Sequence, residues 1–84
     1  MTDRRKQLST QSVDQIGDLV VTALRELAGR PDRRAFEELL RASEELGLCL
    51  GRSARTVAES GSWSQVADVA GTTKQAAWSR WRQA

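Results

Sequence analysis

Ser62-Trp63-Ser64-Gln65-Val66-Ala67-Asp68-Val69-Ala70-Gly71-Thr72-Thr73-Lys74-Gln75-Ala76-Ala77-Trp78-Ser79-Arg80-Trp81-Arg82 is the stretch that decides the fold. Ser60, Gly61 and Ser62 break the apolar pattern that precedes it. Ser62 or Gly61 suits the N-cap of a short helix from Trp63 to Ala70, because the first helical turn leaves N–H groups that a serine oxygen can accept. Gly71 ends that helix, and Thr73 suits the cap of a last helix running from Lys74 to Arg82. Two helices that cross closely admit only a small side chain at the fifth position of such a unit, and Ala67 stands there. Four positions later the chain must reverse in a left-handed conformation, which costs a residue with a Cβ roughly 1 kcal/mol or more. Gly71 is at that position. Val66, Ala70, Ala77 and Trp81 then fall on the inner faces, and Trp63 packs the near end against the preceding helix. Two short helices around a glycine turn have the layout of a helix-turn-helix.

Toward the N-terminus, Val13, Ile16, Val20, Ala23 and Leu27 recur at three- and four-residue spacings, with Leu19 and Leu24 widening the stripe. This predicts a first helix with Thr10 or Ser12 at its start and Gly29 at its end. Pro31 suits the first position of a second helix, where a missing N–H costs nothing, and Asp32 suits the positive end of the helix dipole. The apolar positions Phe36, Leu39, Leu40, Leu46, Leu50, Ala54, Val57 and Ala58 keep the helical phase through Gly47 and Gly51, so one long helix, straight or kinked, is expected. Arg33, Glu37, Arg41 and Glu45 alternate in sign four residues apart and read as a solvated face. Residues 1–9, with Arg4, Arg5 and Lys6, read as a flexible basic arm and more readily as a solvated tail than as a phosphate or minor-groove contact. The fold class expected is all-α: a four-helix domain, with two longer N-terminal helices (a dimerisation and support region over 10–60) ahead of the helix-turn-helix (61–84).

The chain has 84 residues, with 13 Lys and Arg against 11 Asp and Glu. Over 1–60 the two signs balance, and the excess lies in 61–84, where Lys74, Arg80 and Arg82 face Asp68 alone. A basic excess confined to this C-terminal segment points to a polyanion as partner. With no histidine and a single cysteine, the usual zinc sites and the commonest general base are missing, so neither metal nor cofactor is expected. The pairs Glu37–Glu38 and Glu44–Glu45 are adjacent and point in different directions on a helix, which argues against an enzyme. Cys49, between Leu48 and Leu50, is expected to be a small buried hydrophobe in a reducing compartment. The apolar runs are too short for a membrane span or a signal peptide, so a cytoplasmic, nucleoid-associated protein is expected.

The segment Trp63, Val66, Ala67, Asp68, Gly71, Thr73 and Ser79-Arg80-Trp81 resembles, without a gap, the DNA-reading helix-turn-helix of bacterial sigma factors and quorum-sensing-type regulators. The run from Ser62-Trp63 to Gln75-Ala76-Ala77-Trp78 also looks like segments of small DNA-binding proteins of high-GC Gram-positive bacteria. Thr72 stands where that pattern has an aliphatic residue, and Ala76-Ala77 where it has a Thr-Val-like pair. The resemblance implies that the second helix lies in the major groove of double-stranded DNA, with side chains on its outer face reading base edges. Lys74, Gln75, Trp78 and Ser79 are the candidates. Gln75 suits adenine, Lys74 guanine or phosphate, Ala76 a thymine methyl and Arg82 phosphate. Ser64 and Thr73, at helix starts, suit the DNA backbone. Arg80 matches a position often held in structural salt bridges. Trp78, read as lying opposite the Ala77–Trp81 stripe, is left between DNA contact and packing on a partner subunit or on the first helix.

Helix one exceeds what a minimal trihelical reading unit needs, which predicts a homodimer built on it and on the first half of the long helix. Its reading helices would stand roughly 34 Å apart on a pseudo-palindrome. With no ligand-binding or receiver domain in the sequence, a repressor or architectural regulator set by its own concentration is expected. The other expectation is a protein-interaction module that docks through its tryptophan-rich C-terminal segment.

Overall fold

The computed structural model describes residues 4–83. They form five helices: α1 (Arg4–Leu8), α2 (Val13–Ala28), α3 (Arg33–Ser60), α4 (Trp63–Ala70) and α5 (Lys74–Trp81). The protein is all-α, with no strand among the described residues.

α1 adds a helix to the four expected, in the segment read as a basic arm; residues 1–3 of that arm lie outside the described residues. Its end is satisfied locally. The Ser9 and Thr10 hydroxyls donate to the carbonyls of Lys6 and Gln7 at 2.7 and 2.8 Å, which are carbonyls a helix leaves without partners at its C-terminus. Thr10 therefore closes α1, and Ser12 starts α2. The Ser12 hydroxyl accepts from the Gln15 N–H at 3.1 Å, and the Gln15 side chain accepts from the Ser12 N–H at 2.9 Å. This is a reciprocal capping box. α2 closes at Gly29 as its periodicity predicts, yet none of its residues is buried, and Leu19, Val20 and Val21 all face solvent.

α3 begins at Arg33, two residues later than expected. Asp32 is the capping residue, its carboxylate accepting from the Ala35 N–H at 2.7 Å, so Pro31 precedes the cap rather than occupying the first helical position. From there the helix runs unbroken for 28 residues through Gly47 and Gly51. Its first turns carry the predicted ion pair Arg33–Glu37 at 3.1 Å, with Arg34 reaching Glu37 at 2.8 Å and Glu38 at 3.3 Å. The Arg34 guanidinium is held above its ordinary pKa, first by the hydrogen bond to Glu37 and then by the charges of Glu38 and Glu37. These pairs are exposed to solvent, so screening leaves each of them little weight in stability.

The chain divides into two compact units within α3, the first ending at Leu40 and the second beginning at Arg41. The second unit holds a small core of Ala54 from α3, Val66 and Ala67 from α4, and Ala77 from α5, with Ala58, Trp63 and Trp81 packed around it. Ala77 has no exposed surface, and alanines at the centre let the helices approach closely. Two inward placements need correction. Ala70 is exposed, at the rim of an open apolar groove of about 160 Å³ lined chiefly by Leu50, Ala54, Val57, Val66, Val69 and Trp81. Cys49 is exposed as well. Successive helical residues point about 100° apart, so of the run 48–50 only Leu50 turns into the groove, and Leu48 and Cys49 are carried round to solvent.

α4 starts on Ser62, whose hydroxyl accepts from the Gln65 N–H at 3.2 Å, and ends in a left-handed residue, Gly71, at φ 69° and ψ 36°. The Thr72 N–H donates to the Ala67 carbonyl at 3.0 Å and the Gly71 N–H to the Asp68 carbonyl at 3.4 Å. This pair of bonds defines the Schellman closure. Thr73 caps α5, its hydroxyl accepting from the Ala76 N–H at 3.1 Å.

The two glycines Gly71 and Gly47 predict opposite outcomes. An added Cβ meets nothing within 4 Å at either site, but Gly71 alone has a positive φ. In urea unfolding followed by circular dichroism, Gly71→Ala should destabilise by about 1 kcal/mol or more. Gly47→Ala should stabilise by roughly 0.5–1 kcal/mol. Equal and favourable effects would contradict the left-handed turn.

Candidate nucleic-acid interface

The candidate surface is built on α5, and Ala77 sets its orientation. With Ala77 fully buried and Trp81 half-buried four residues on, one stripe of α5 is fixed inward, and the remaining positions are distributed by the helical period. Ser79, Gln75 and Arg82 fall on the far side, with Ala76 and Trp78 on opposite flanks. All five are exposed, as are Lys74, Thr73 and Ser64. Trp78 thus lies about 100° round from Ala77, on a flank, and not opposite the buried stripe as the sequence suggested. It remains 41% exposed.

Three of the expected residues are brought together directly: Lys74, Gln75 and Trp78 line one shallow surface hollow. Arg82 joins them from the end of the helix, its guanidinium carbon 4.4 Å from the centre of the Trp78 ring, within cation–π range. One face therefore carries an ammonium, a carboxamide, an indole and a guanidinium in sequence. Ser79 and Ala76 lie on the same helix outside that hollow. Ser64 is in the first turn of α4, and the Thr73 oxygen already accepts the Ala76 N–H, which leaves its O–H to donate. Arg80 sits over the ring of Trp81, 5.0 Å from its centre, where the resemblance implies a structural ion pair. Among the described residues no cluster of His, Cys, Asp and Glu suits a metal ion, and no helix is long and apolar enough to cross a membrane.

Arg55 is a contributor through bonds that no local sequence pattern points to. From the middle of α3 its guanidinium donates to the Trp81 carbonyl at 3.1 Å and to the Gln83 carbonyl at 2.6 Å. The Trp81 carbonyl ends α5, where helical carbonyls lack partners and the dipole is negative, so a cation is doubly favoured, and the Gln83 carbonyl lies just beyond. Gly51, one turn before Arg55, is buried, and a Cβ there would come within 3.1 Å of the Arg55 guanidinium and 3.9 Å of the Trp81 ring. The missing side chain at Gly51 makes room for the arginine's path. A signal existed in the sequence, a small residue four positions before an arginine on the inner face of α3, but nothing local indicates a bond that spans 26 residues.

Set against protein-family models, curated proteins and solved structures, the chain matches none of them.

Arg55→Ala should loosen the end of α5 while leaving α4 in place. Hydrogen exchange should show the amides of the last turn of α5 protected about tenfold less, for a loss on the order of 1.5 kcal/mol in a charged hydrogen-bond pair. Unchanged protection would mean that Arg55 does not hold that end.

Proposed function

We propose that this protein is a small homodimeric transcriptional regulator of the helix-turn-helix kind, in which α5 lies in the major groove of double-stranded DNA and reads sequence. The observation that carries the reading is the face of α5: Lys74, Gln75, Trp78 and Arg82 lie together and exposed, on a helix whose opposite stripe is buried at Ala77. Phosphate contacts supply affinity and base-edge contacts supply specificity, and this surface offers both. Lys74 and Arg82 are the cations, while Gln75 presents the paired donor and acceptor that match adenine. Ser64 and Thr73 are placed at helix starts to meet the DNA backbone. Ala76 and Ser79 flank the reading residues. The excess of positive charge in residues 61–84 supports the same assignment. The protein would act in the nucleoid as a repressor or an architectural factor.

Dimerisation is supported by unburied apolar surface. α2 contributes no buried residue, and Phe36, Leu40 and Leu46 of α3 are all more than half exposed. A second copy of the chain presents the same apolar residues, which a two-fold contact would cover.

A protein-docking module is the competing reading. Two of the three tryptophans, Trp63 and Trp81, pack on the core, so the aromatic cluster that favoured docking reduces to Trp78.

Binding of short duplexes should weaken steeply with salt, with a log–log slope near −0.9 for each phosphate contact. Gln75→Ala should change sequence preference, with discrimination falling by about 1–3 kcal/mol at one position. Arg82→Ala should weaken all duplexes alike and reduce the slope by about 1. A Gln75→Ala protein with unchanged affinity and preference would contradict the placement of α5. Sedimentation at micromolar concentration should find a dimer, and a monomer would remove the two-fold arrangement.

A further inference from the structure

The end of α5 presents a competition that the structure resolves in one direction. An arginine in the last turn of a helix is ordinarily drawn back to the unpaired carbonyls and the negative end of the dipole. Arg82 is at that position, as the C-cap of α5. The carbonyls of Trp81 and Gln83 are held instead by Arg55, at 3.1 and 2.6 Å. With that end occupied by another cation, Arg82 turns along the helix and stacks on Trp78 at 4.4 Å, beside the hollow that Lys74 and Gln75 share with the same indole. Four residues separate Trp78 from Arg82, the spacing that places two side chains on one face.

Resting on the DNA-binding reading above, we infer that Trp78 is a positioning residue: its ring holds the Arg82 guanidinium on the Lys74 side of α5, ready for a phosphate, and Trp78 itself reads no base. A free arginine loses rotamer freedom when it docks. A guanidinium already stacked has lost much of it beforehand, so the stack raises affinity without adding a contact to the nucleic acid. Arg55 is the second support, because it removes the competing site for Arg82.

The test compares Trp78→Leu, which keeps apolar bulk without a π-face, with Trp78→Phe, which keeps the face. Both are made in the full chain, alone and combined with Arg82→Ala. The probes are one preferred duplex and one unrelated duplex of equal length. Trp78→Leu should weaken both duplexes equally, by about two- to fivefold, and lower the salt slope. Trp78→Phe should restore most of the loss. With Arg82→Ala already present, Trp78→Leu should change affinity no further. In the protein without DNA, the Arg82 side-chain protons should show an upfield ring-current shift in NMR that Trp78→Leu removes.

Losses that multiply in the double variant, or a changed preference between the two duplexes, would show that Trp78 contacts DNA itself and would overturn the inference while leaving DNA binding intact. Absence of the ring-current shift in the parent protein would overturn it as well. Failure of the parent chain to bind either duplex at low salt would overturn the DNA-binding reading, and the inference with it.

Discussion

The turn between α4 and α5 closes on a left-handed backbone at Gly71, and the course of the chain beyond it depends on that one residue. Any side chain there would strain the backbone by about 1 kcal/mol or more. The two hydrogen bonds from Gly71 and Thr72 back to Asp68 and Ala67 exist only while the turn keeps its hand. They use the last carbonyls of α4 and set the direction in which Thr73 begins α5. Ala67 and Ala77 then meet where only small side chains fit, and Trp63 and Trp81 close the sides. Because Ala77 is fixed inward, the exposed order Lys74, Gln75, Trp78, Arg82 follows from helical geometry alone.

The core this turn organises is small, built from three alanines and a valine, and such a core supplies little stability by area. Polar devices compensate. Ser62, Thr73, Ser12 and Asp32 each satisfy a helix start, and Arg55 satisfies the end of α5. A substituted cap typically costs about 1 kcal/mol, which is a large share of the margin in a domain this size. The apolar face of α2 lies at the other extreme, with Val13 86% exposed. A helix of this length in water owes its stability mainly to packing, and the partner proposed for that packing is a second copy of the chain.

Much of this was legible in the sequence because the signals are local. Caps at Ser62 and Thr73, the glycine stop at Gly71 and the alanine at position 67 depend on neighbours within four or five residues. Their chemistry leaves few alternatives. The exposed placement of Lys74, Gln75, Ser79 and Arg82 follows from the same period. What was not legible depends on partners distant in the chain or on direction around a helix. The bond from Arg55 to the end of α5 links positions 26 residues apart. Cys49 sits in an apolar run yet turns to solvent, since a run of three spans more of the helix circumference than one groove can cover. Trp78 was placed opposite the buried stripe, but the 100° step puts it on the flank, where Arg82 reaches it. The helical turn over Arg4–Leu8 was hidden because the serine and threonine that end it also resemble the start of the next helix.

If the exposed face of α5 reads duplex DNA, as proposed, selection of bound fragments from a random duplex pool should reveal the sequence it prefers. A dimer reading through α5 should enrich a two-fold-related sequence whose half-sites lie about one helical turn apart, roughly 34 Å, with adenine among the positions lost when Gln75 is replaced. Recovery of a pool indistinguishable from the input, at a salt concentration low enough for phosphate contacts to act, would contradict it.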